Sequence, residues 1–517
     1  MVKNILKFFI LITAFSGNGV IADVIEQRYL LPPLYNTKAI PEKKFVIVIT
    51  SFNNAEWCVK NLETIFFQKN PENTDFYQNY RVIIVDDASI DGNAEYIEHY
   101  VFACNQQHRV TLIKNKTRKR AMANLYYALQ MCEPDEIVFN YDGDDWLADD
   151  QVFNLINNIY QNPEVWITFG SFINWPTNQM GYCKPVPQEY VDKQLYRKKW
   201  WMPGQLRTFR AWLFHQIQLK DLFFEGPYYQ GQFFPANCDL AIYYPMMEMA
   251  GNHFQYIPDV IYIRNVATPI NDFKANKDVQ VLGSKILREK PVYSRLKDNA
   301  QDYFKPFAHK KADIIFFSER FEYAQKFIAS CARLMRNYNK IYIIHNHNDT
   351  QYKLLANNEV TPIATTVDNF KNCVLEVINN SKDHVLFARD TLIATHYIDC
   401  NECIRALERT FAYGFYLGNG TENIICHRTG MAQPIPVLNQ INQTMYAWAF
   451  GYAANGDWRC YNNPAMTLYR THDVSSQIAG LEFNNYHDLF AQWANVSIDL
   501  ESVGLCYEHA RVGYIHW

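Results

Sequence analysis

The spacing of apolar positions changes period along the chain. Phe45-Val-Ile-Val-Ile-Thr50 is an unbroken, largely β-branched run, which predicts a strand buried on both faces. Residues 55–68 read instead as a helix. The alternation continues with strands at 81–85, 109–113 and 136–141 and helices at 92–104 and 121–132. Residues 163–170 predict a further strand. Strands alternating with helices imply a mostly parallel sheet with helices on both faces. From about residue 312 the pattern starts again, with strands at 313–317, 340–344 and 384–387 and helices at 319–338, 368–379 and 399–412. A second α/β domain is expected, related to the first by element order rather than by residue identity.

Ligands of such sheets bind at the carboxyl ends of the strands. Three polar clusters fall there: Ser51-Phe52-Asn53-Asn54, Asp86-Asp87-Ala-Ser89-Ile-Asp91-Gly92, and Asp142-Gly143-Asp144-Asp145. Three carboxylates within four residues repel one another without a counter-charge, so a divalent cation is expected at the last cluster. Gly143 lets the backbone turn and a ligand approach. An EF-hand loop is excluded, because a loop begun at Asn140 puts Asp145 where glycine is required and Gln151 where glutamate is required. A solvated acidic turn stays open as the bland alternative. Asp86 and Asp87 are equally good helix-capping residues. Lys114, Arg118, Lys119 and Arg120 either meet a diphosphate or form a solvated helix start.

Taken together and in order, Phe45-Val-Ile-Val-Ile-Thr-Ser-Phe-Asn-Asn54, Val85-Asp-Asp-Ala-Ser-Ile-Asp-Gly92, Asn115 with Ala123-Asn124, and Asn140-Tyr-Asp-Gly-Asp-Asp145 resemble the family 2 glycosyltransferases. The resemblance covers residues 43–275, roughly half the chain. It implies the GT-A fold and inverting transfer from a nucleotide-diphosphate sugar, with UDP-sugars favoured, to a glycan or protein acceptor. It also implies Mn²⁺ or Mg²⁺ as cofactor. By the same resemblance Phe52 and Asn53 line the base pocket, Asp86 or Asp87 accepts a base N–H, and Asp144 ligates the metal. Asp142 would contact the ribose, or the metal through water, with Arg118 near the diphosphate. Asp239 would be the general base that takes the acceptor hydroxyl proton. Glu248, on the same predicted helix, is read as structural.

Two positions depart from the family pattern. Phe273 stands in Asn271-Asp272-Phe273-Lys274 where related bacterial enzymes often have His, and Gln205 precedes Leu206-Arg-Thr-Phe209 where His is common. In the second half, Ala388-Arg389-Asp390-Thr391 occupies the place of the acidic cluster, so that half is expected to lack metal-dependent transfer. There Arg389 would pair with Asp390 and compete with a metal. Trp448, Trp458, Tyr461 and Tyr469 are either core or a sugar-stacking surface. The alternative function is a non-catalytic carbohydrate-binding protein built on decayed transferase domains. A nucleotidyltransferase is less well supported, since no Gly-rich basic loop lies near the first strand.

Composition adds bounds. The 517 residues are 49% hydrophobic and 20% charged, enough for two or three domains with real cores. A net charge of −4 and the lack of a long basic run give no reason to expect nucleic-acid binding. Lys3 and Lys7, the apolar stretch Phe8–Phe15, and Val20-Ile-Ala22 before Asp23 form the pattern of a secretory signal peptide. That predicts the secretory pathway, the periplasm or the exterior. An uncleaved N-terminus, cytoplasmic or membrane-associated, is the alternative. No later run of 18 apolar residues offers a membrane span. The expected divisions are a signal peptide at 1–22, a linker at 23–42, and domains at 43–305 and 306–517. Cys400 and Cys403 stand without a second pair at zinc-finger spacing.

Overall fold

The computed structural model describes residues 40–268, 277–297, 303, 310–426, 430–464 and 466–515. The expected signal peptide lies outside the described residues, as do Phe273 and its neighbours. The first sheet is built around β1 (Phe45–Ser51), buried at all but one position. A strand covered on both faces needs such an apolar run. β1 pairs in parallel with β2 (Tyr80–Asp86) and with β4 (Ile137–Asp142), and β3 (Val110–Lys114) extends the parallel set beyond β2. The sheet order is then completed by β5 (Trp146–Leu147), β6 (Ile167–Trp175), β7 (Gln179–Met180), β8 (Arg207–Arg210) and β9 (Phe254–Asn265). β8 runs antiparallel to β4 and to β6, while β6 and β9 are parallel. The helix Cys58–Phe66 buries Cys58, Asn61, Leu62, Ile65 and Phe66, a three-and-four spacing that forms one face. Its polar member Asn61 donates to the carbonyls of Asp142 and Asp145 at 2.9 and 2.8 Å. The helix therefore packs on the core and fixes the acidic turn at once. This mixed α/β sheet, parallel at its centre with a reversed strand beside it, is the GT-A arrangement expected from the sequence.

The second sheet repeats the first. Its strands are β10 (Ala312–Ser318), β12 (Tyr338–Asn346), β13 (Val360–Thr365), β14 (His384–Arg389), β17 (Gly414–Tyr416), β18 (Asn439–Gln440), β19 (Met445–Ala449), β20 (Thr467–Arg470) and β21 (Val503–Tyr507). Two small pairs accompany it: β11 (Met335–Arg336) with β16 (Ile398–Asp399), and β15 (Leu392–Ala394) with β22 (Val512–Tyr514). The order β13-β12-β10-β14-β20-β17-β21 matches β3-β2-β1-β4-β8-β6-β9 position by position. The directions match as well: β14 and β20 are antiparallel, and β17 and β21 are parallel. Even the short antiparallel pair after the central strand recurs, as β5 with β9 and as β15 with β22.

The two compact units do not divide at residue 305. One comprises the described residues within 1–213, 247–275 and 292–300, and the other those within 214–246, 276–291 and 301–517. The segment after β8 thus groups with the later residues. Hydrogen bonds show why: Asn439 Nδ2 donates to the Gly231 carbonyl at 2.7 Å, and Lys220 Nζ reaches Asp499 at 2.9 Å. Trp448, Trp458 and Tyr469 are fully buried in the second unit and Tyr461 packs against the same cluster, so these aromatics are core. Among the described residues no helix is long and apolar enough to cross a membrane.

Candidate functional site

The site begins where β4 ends. Gly143 donates its N–H to the Thr50 carbonyl at 3.1 Å, carrying the β1–β4 pairing one residue past the strand. A Cβ at this position would stand 2.7 Å from Ser51 Oγ and 2.9 Å from Asn54 Nδ2, so the two strand-end loops meet closely only at a glycine.

Beyond Gly143 the three carboxylates part. Asp145 is buried and turns inward, its Oδ1 accepting the Asn265 N–H at 2.7 Å. Burial, then the charges of Asp144 and Asp142, push its carboxyl well above the usual range, with Asn265 and the Tyr262 hydroxyl pulling the other way. Asp142 and Asp144 stay half-buried. Asp142 Oδ2 accepts from Gln205 Nε2 at 3.0 Å, and its backbone N–H lies 3.2 Å from the Tyr262 hydroxyl. Burial and then the Asp142 charge push Asp144 up to about 7, against the opposing pull of Arg264.

A carboxyl whose proton affinity is raised by burial and by a neighbouring carboxylate, as at Asp144, is relieved by a cation. Mg²⁺ and Mn²⁺ are held in such sites by one or two carboxylates, with substrate phosphates completing the shell. Gln205 Oε1 adds a buried oxygen without a partner. The donor set fits a hard divalent ion. Among the described residues no group of three or more His, Cys, Asp or Glu side chains is placed to hold a metal ion.

The residues expected to hold the nucleotide also gather at this edge. Phe52 and Arg118 meet directly, the guanidinium carbon 3.8 Å from the ring centroid. Asn53 has a left-handed backbone, φ 51°, a conformation that asparagine tolerates well. Its Oδ1 accepts the Ile90 N–H at 2.9 Å, which staples the first loop to the second. Asp86 accepts from Asn93 Nδ2 at 2.6 Å and the Ser89 N–H at 3.1 Å, capping the turn into the helix Asn93–Ala103. Asp87 accepts the N–H groups of Lys119 and Arg120 at 2.7 and 2.8 Å, and Asn115 Nδ2 at 2.9 Å. Both carboxylates therefore shape the edge, and each retains further lone-pair capacity. Lys114 pairs with Glu98 at 2.8 Å, so the basic cluster is only partly directed at the edge.

Asp239 lies in the first turn of the helix Cys238–Ala250 and falls in the second compact unit. Glu248, on the same helix, is fully buried, with Oε1 at 2.6 Å from Arg197 Nε and Oε2 accepting the Tyr293 N–H at 3.0 Å. Its role is structural.

The corresponding edge of the second sheet is closed by its own carboxylate. Asp390 accepts from Ser318 Oγ at 2.9 Å and from the N–H groups of Glu319 and Arg320 at 2.6 and 3.0 Å. The expected pairing with Arg389 is not what occupies it, since its partners are the Ser318 hydroxyl and the two backbone N–H groups. Asp390 is spent on the loop that follows β10.

Sequence reasoning missed Asn61, Tyr262, Arg264 and Asn265. Tyr262 and its neighbours lie on β9, more than a hundred residues from the acidic turn, and only the β5–β9 pairing brings them there.

An α/β sheet with two half-buried carboxylates at the carboxyl end of a central strand is the arrangement that the resemblance read from the sequence implies. Residues 46–223 match the model of the family described as Glycosyl transferase family 2, and this stretch is a domain of that family. The putative glycosyltransferase EpsE of Bacillus subtilis (strain 168) is 32% identical over 102 residues, 20% of this chain and 33% of that protein. The chain thus spans about a third of the length of this curated relative. Among solved structures, S. aureus TarS 1-349 in complex with UDP is similar at 14% identity and a TM-score of 0.32, covering 50% of this chain and 69% of that one. The mannosyltransferase PcManGT from Pyrobaculum calidifontis, in complex with GDP-Man and Mn2+, is similar at 18% identity and a TM-score of 0.33, covering 53% and 73%.

Proposed function

We propose that the chain carries an inverting, metal-dependent transfer of a sugar from a nucleotide-diphosphate sugar, UDP-sugars favoured, to a hydroxyl of a glycan or protein. The observation that carries this reading is the division of labour in the acidic turn. Asp145 is consumed by Asn265, whereas Asp142 and Asp144 stay half-buried beside one another. Asp144 and Asp142 would hold Mn²⁺ or Mg²⁺. When bound, the cation supplies Lewis-acid neutralisation of charge on the leaving diphosphate. Phe52, with Arg118 across its ring, and the Asp86–Asp87 loops supply the binding surface for base and diphosphate. The acceptor oxygen attacks the anomeric carbon opposite the diphosphate, the bond to the diphosphate breaks with its electron pair, and Asp239 takes the hydroxyl proton.

The second unit has a different role in this reading. With Asp390 committed to its own loop and Arg389 in place of the first acidic residue, that edge carries no metal-dependent transfer. Calorimetry with UDP, with and without Mn²⁺, tests the proposal. UDP binding that requires Mn²⁺ and is lost in Asp144→Asn is expected. Absence of metal-dependent UDP binding by the intact chain would overturn it.

A further inference from the structure

Gln205 is placed opposite Asp142 by the sheet itself. β8 pairs antiparallel with β4, Ile137 opposite Arg210 and Asn140 opposite Arg207. Continuing that register beyond the start of β8 sets residue 205 against residue 142, the last of β4. The side chain follows, with Nε2 donating to Asp142 Oδ2 at 3.0 Å. The other atom of the same amide, Oε1, is shielded from solvent and has no hydrogen-bond partner. A buried carbonyl oxygen left unpaired is costly, and native structures rarely keep one without a use. Because the two amide atoms share a carbon, Oε1 lies beside the carboxylate that Nε2 holds.

We propose that Gln205 positions Asp142 and determines metal specificity, its Nε2 fixing the carboxylate and its Oε1 offering a neutral oxygen to the cation. This rests on the metal-dependent reading above and names the chemistry of its site. With Asp142, Asp144 and Gln205 all presenting oxygen, the edge selects hard ions such as Mg²⁺ and Mn²⁺. An imidazole in the same place admits Zn²⁺ and Co²⁺.

The test is Mn²⁺ binding to the full chain in the presence of UDP, followed by the loss of the free-ion paramagnetic resonance signal, with Zn²⁺ as competitor. Gln205→Leu is expected to weaken Mn²⁺ binding by about 10–100-fold. Gln205→His is expected to retain Mn²⁺ binding while shifting the Zn²⁺-to-Mn²⁺ preference at least about tenfold toward Zn²⁺. If Gln205→Leu loses its thermal unfolding transition, the histidine variant alone decides. Wild-type Mn²⁺ affinity in a folded leucine variant, or an unchanged Zn²⁺-to-Mn²⁺ preference in the histidine variant, overturns the inference. If the wild type binds Mn²⁺ with UDP and Asp144→Asn does not, such a result sinks Gln205 alone. If the wild type shows no such binding, both readings fall together.

Discussion

The backbone N–H of Asn265 donates to Asp145 Oδ1 at 2.7 Å, joining residues 120 positions apart. This bond withdraws one carboxylate from the acidic turn. It makes Asp145 part of the fold, so the proposed metal role falls to Asp142 and Asp144 alone. Asp145→Ala is therefore expected to destabilise the chain by about 1–3 kcal/mol, because a buried N–H loses its acceptor. Asp144→Asn should leave the metal-free melting temperature unchanged or raise it, because it removes a charge that burial and Asp142 both oppose. Thermal denaturation without metal checks the contrast, and equal losses from both variants would contradict the assignment.

Asp239→Asn should separate binding from transfer. An amide of the same shape cannot take the acceptor proton, so the transfer rate should fall by about 10²-fold or more. Metal-dependent UDP binding should persist. Transfer surviving at the wild-type rate would remove Asp239 from the mechanism.

Acid should weaken the second unit through Glu408. Burial would raise this carboxyl, but His384 at 3.0 Å, Lys310 at 2.9 Å and Arg470 at 3.3 Å together bring it down to about 2. A carboxyl lowered on folding from 4.5 contributes its full stability above that value and loses it as pH falls toward 2. The shift corresponds to about 3 kcal/mol at most. Denaturant unfolding at neutral pH and at about pH 3 should show this loss in the wild type, and a flatter acid limb in Glu408→Gln.

Asp390→Ala should act on stability alone. Removing an acceptor for two backbone N–H groups and a hydroxyl is expected to cost about 1–3 kcal/mol. UDP binding in the presence of Mn²⁺ should be unchanged. A loss of that binding would show that the second edge takes part in it.

What the sequence disclosed was local. The apolar run of β1, the helices that follow the strands and the acidic turn could be read from neighbouring residues. The roles within the turn could not, because the partners of Asp142 and Asp145 arrive through sheet register, from Gln205 and Asn265. β13 escaped prediction since Pro362 interrupts its pattern, and its place at the end of the sheet order explains why a proline is tolerated there. The helix Val152–Tyr160 was not predicted either, three of its nine residues being asparagine, which favours turns in isolation but here faces packed neighbours. The discontinuous make-up of the two compact units was not legible for a similar reason. Segments 214–246 and 276–291 reach their partners far along the chain.

The repeated sheet also gives the polypeptide an internal blank. Two strand-end edges of the same topology sit in one chain, and only the first carries the acidic cluster Asp142-Gly143-Asp144-Asp145. A metal titration in the presence of UDP should therefore saturate at one ion for each chain rather than two. The second edge then reports, in the same sample and at the same concentration, what the scaffold contributes without the chemistry.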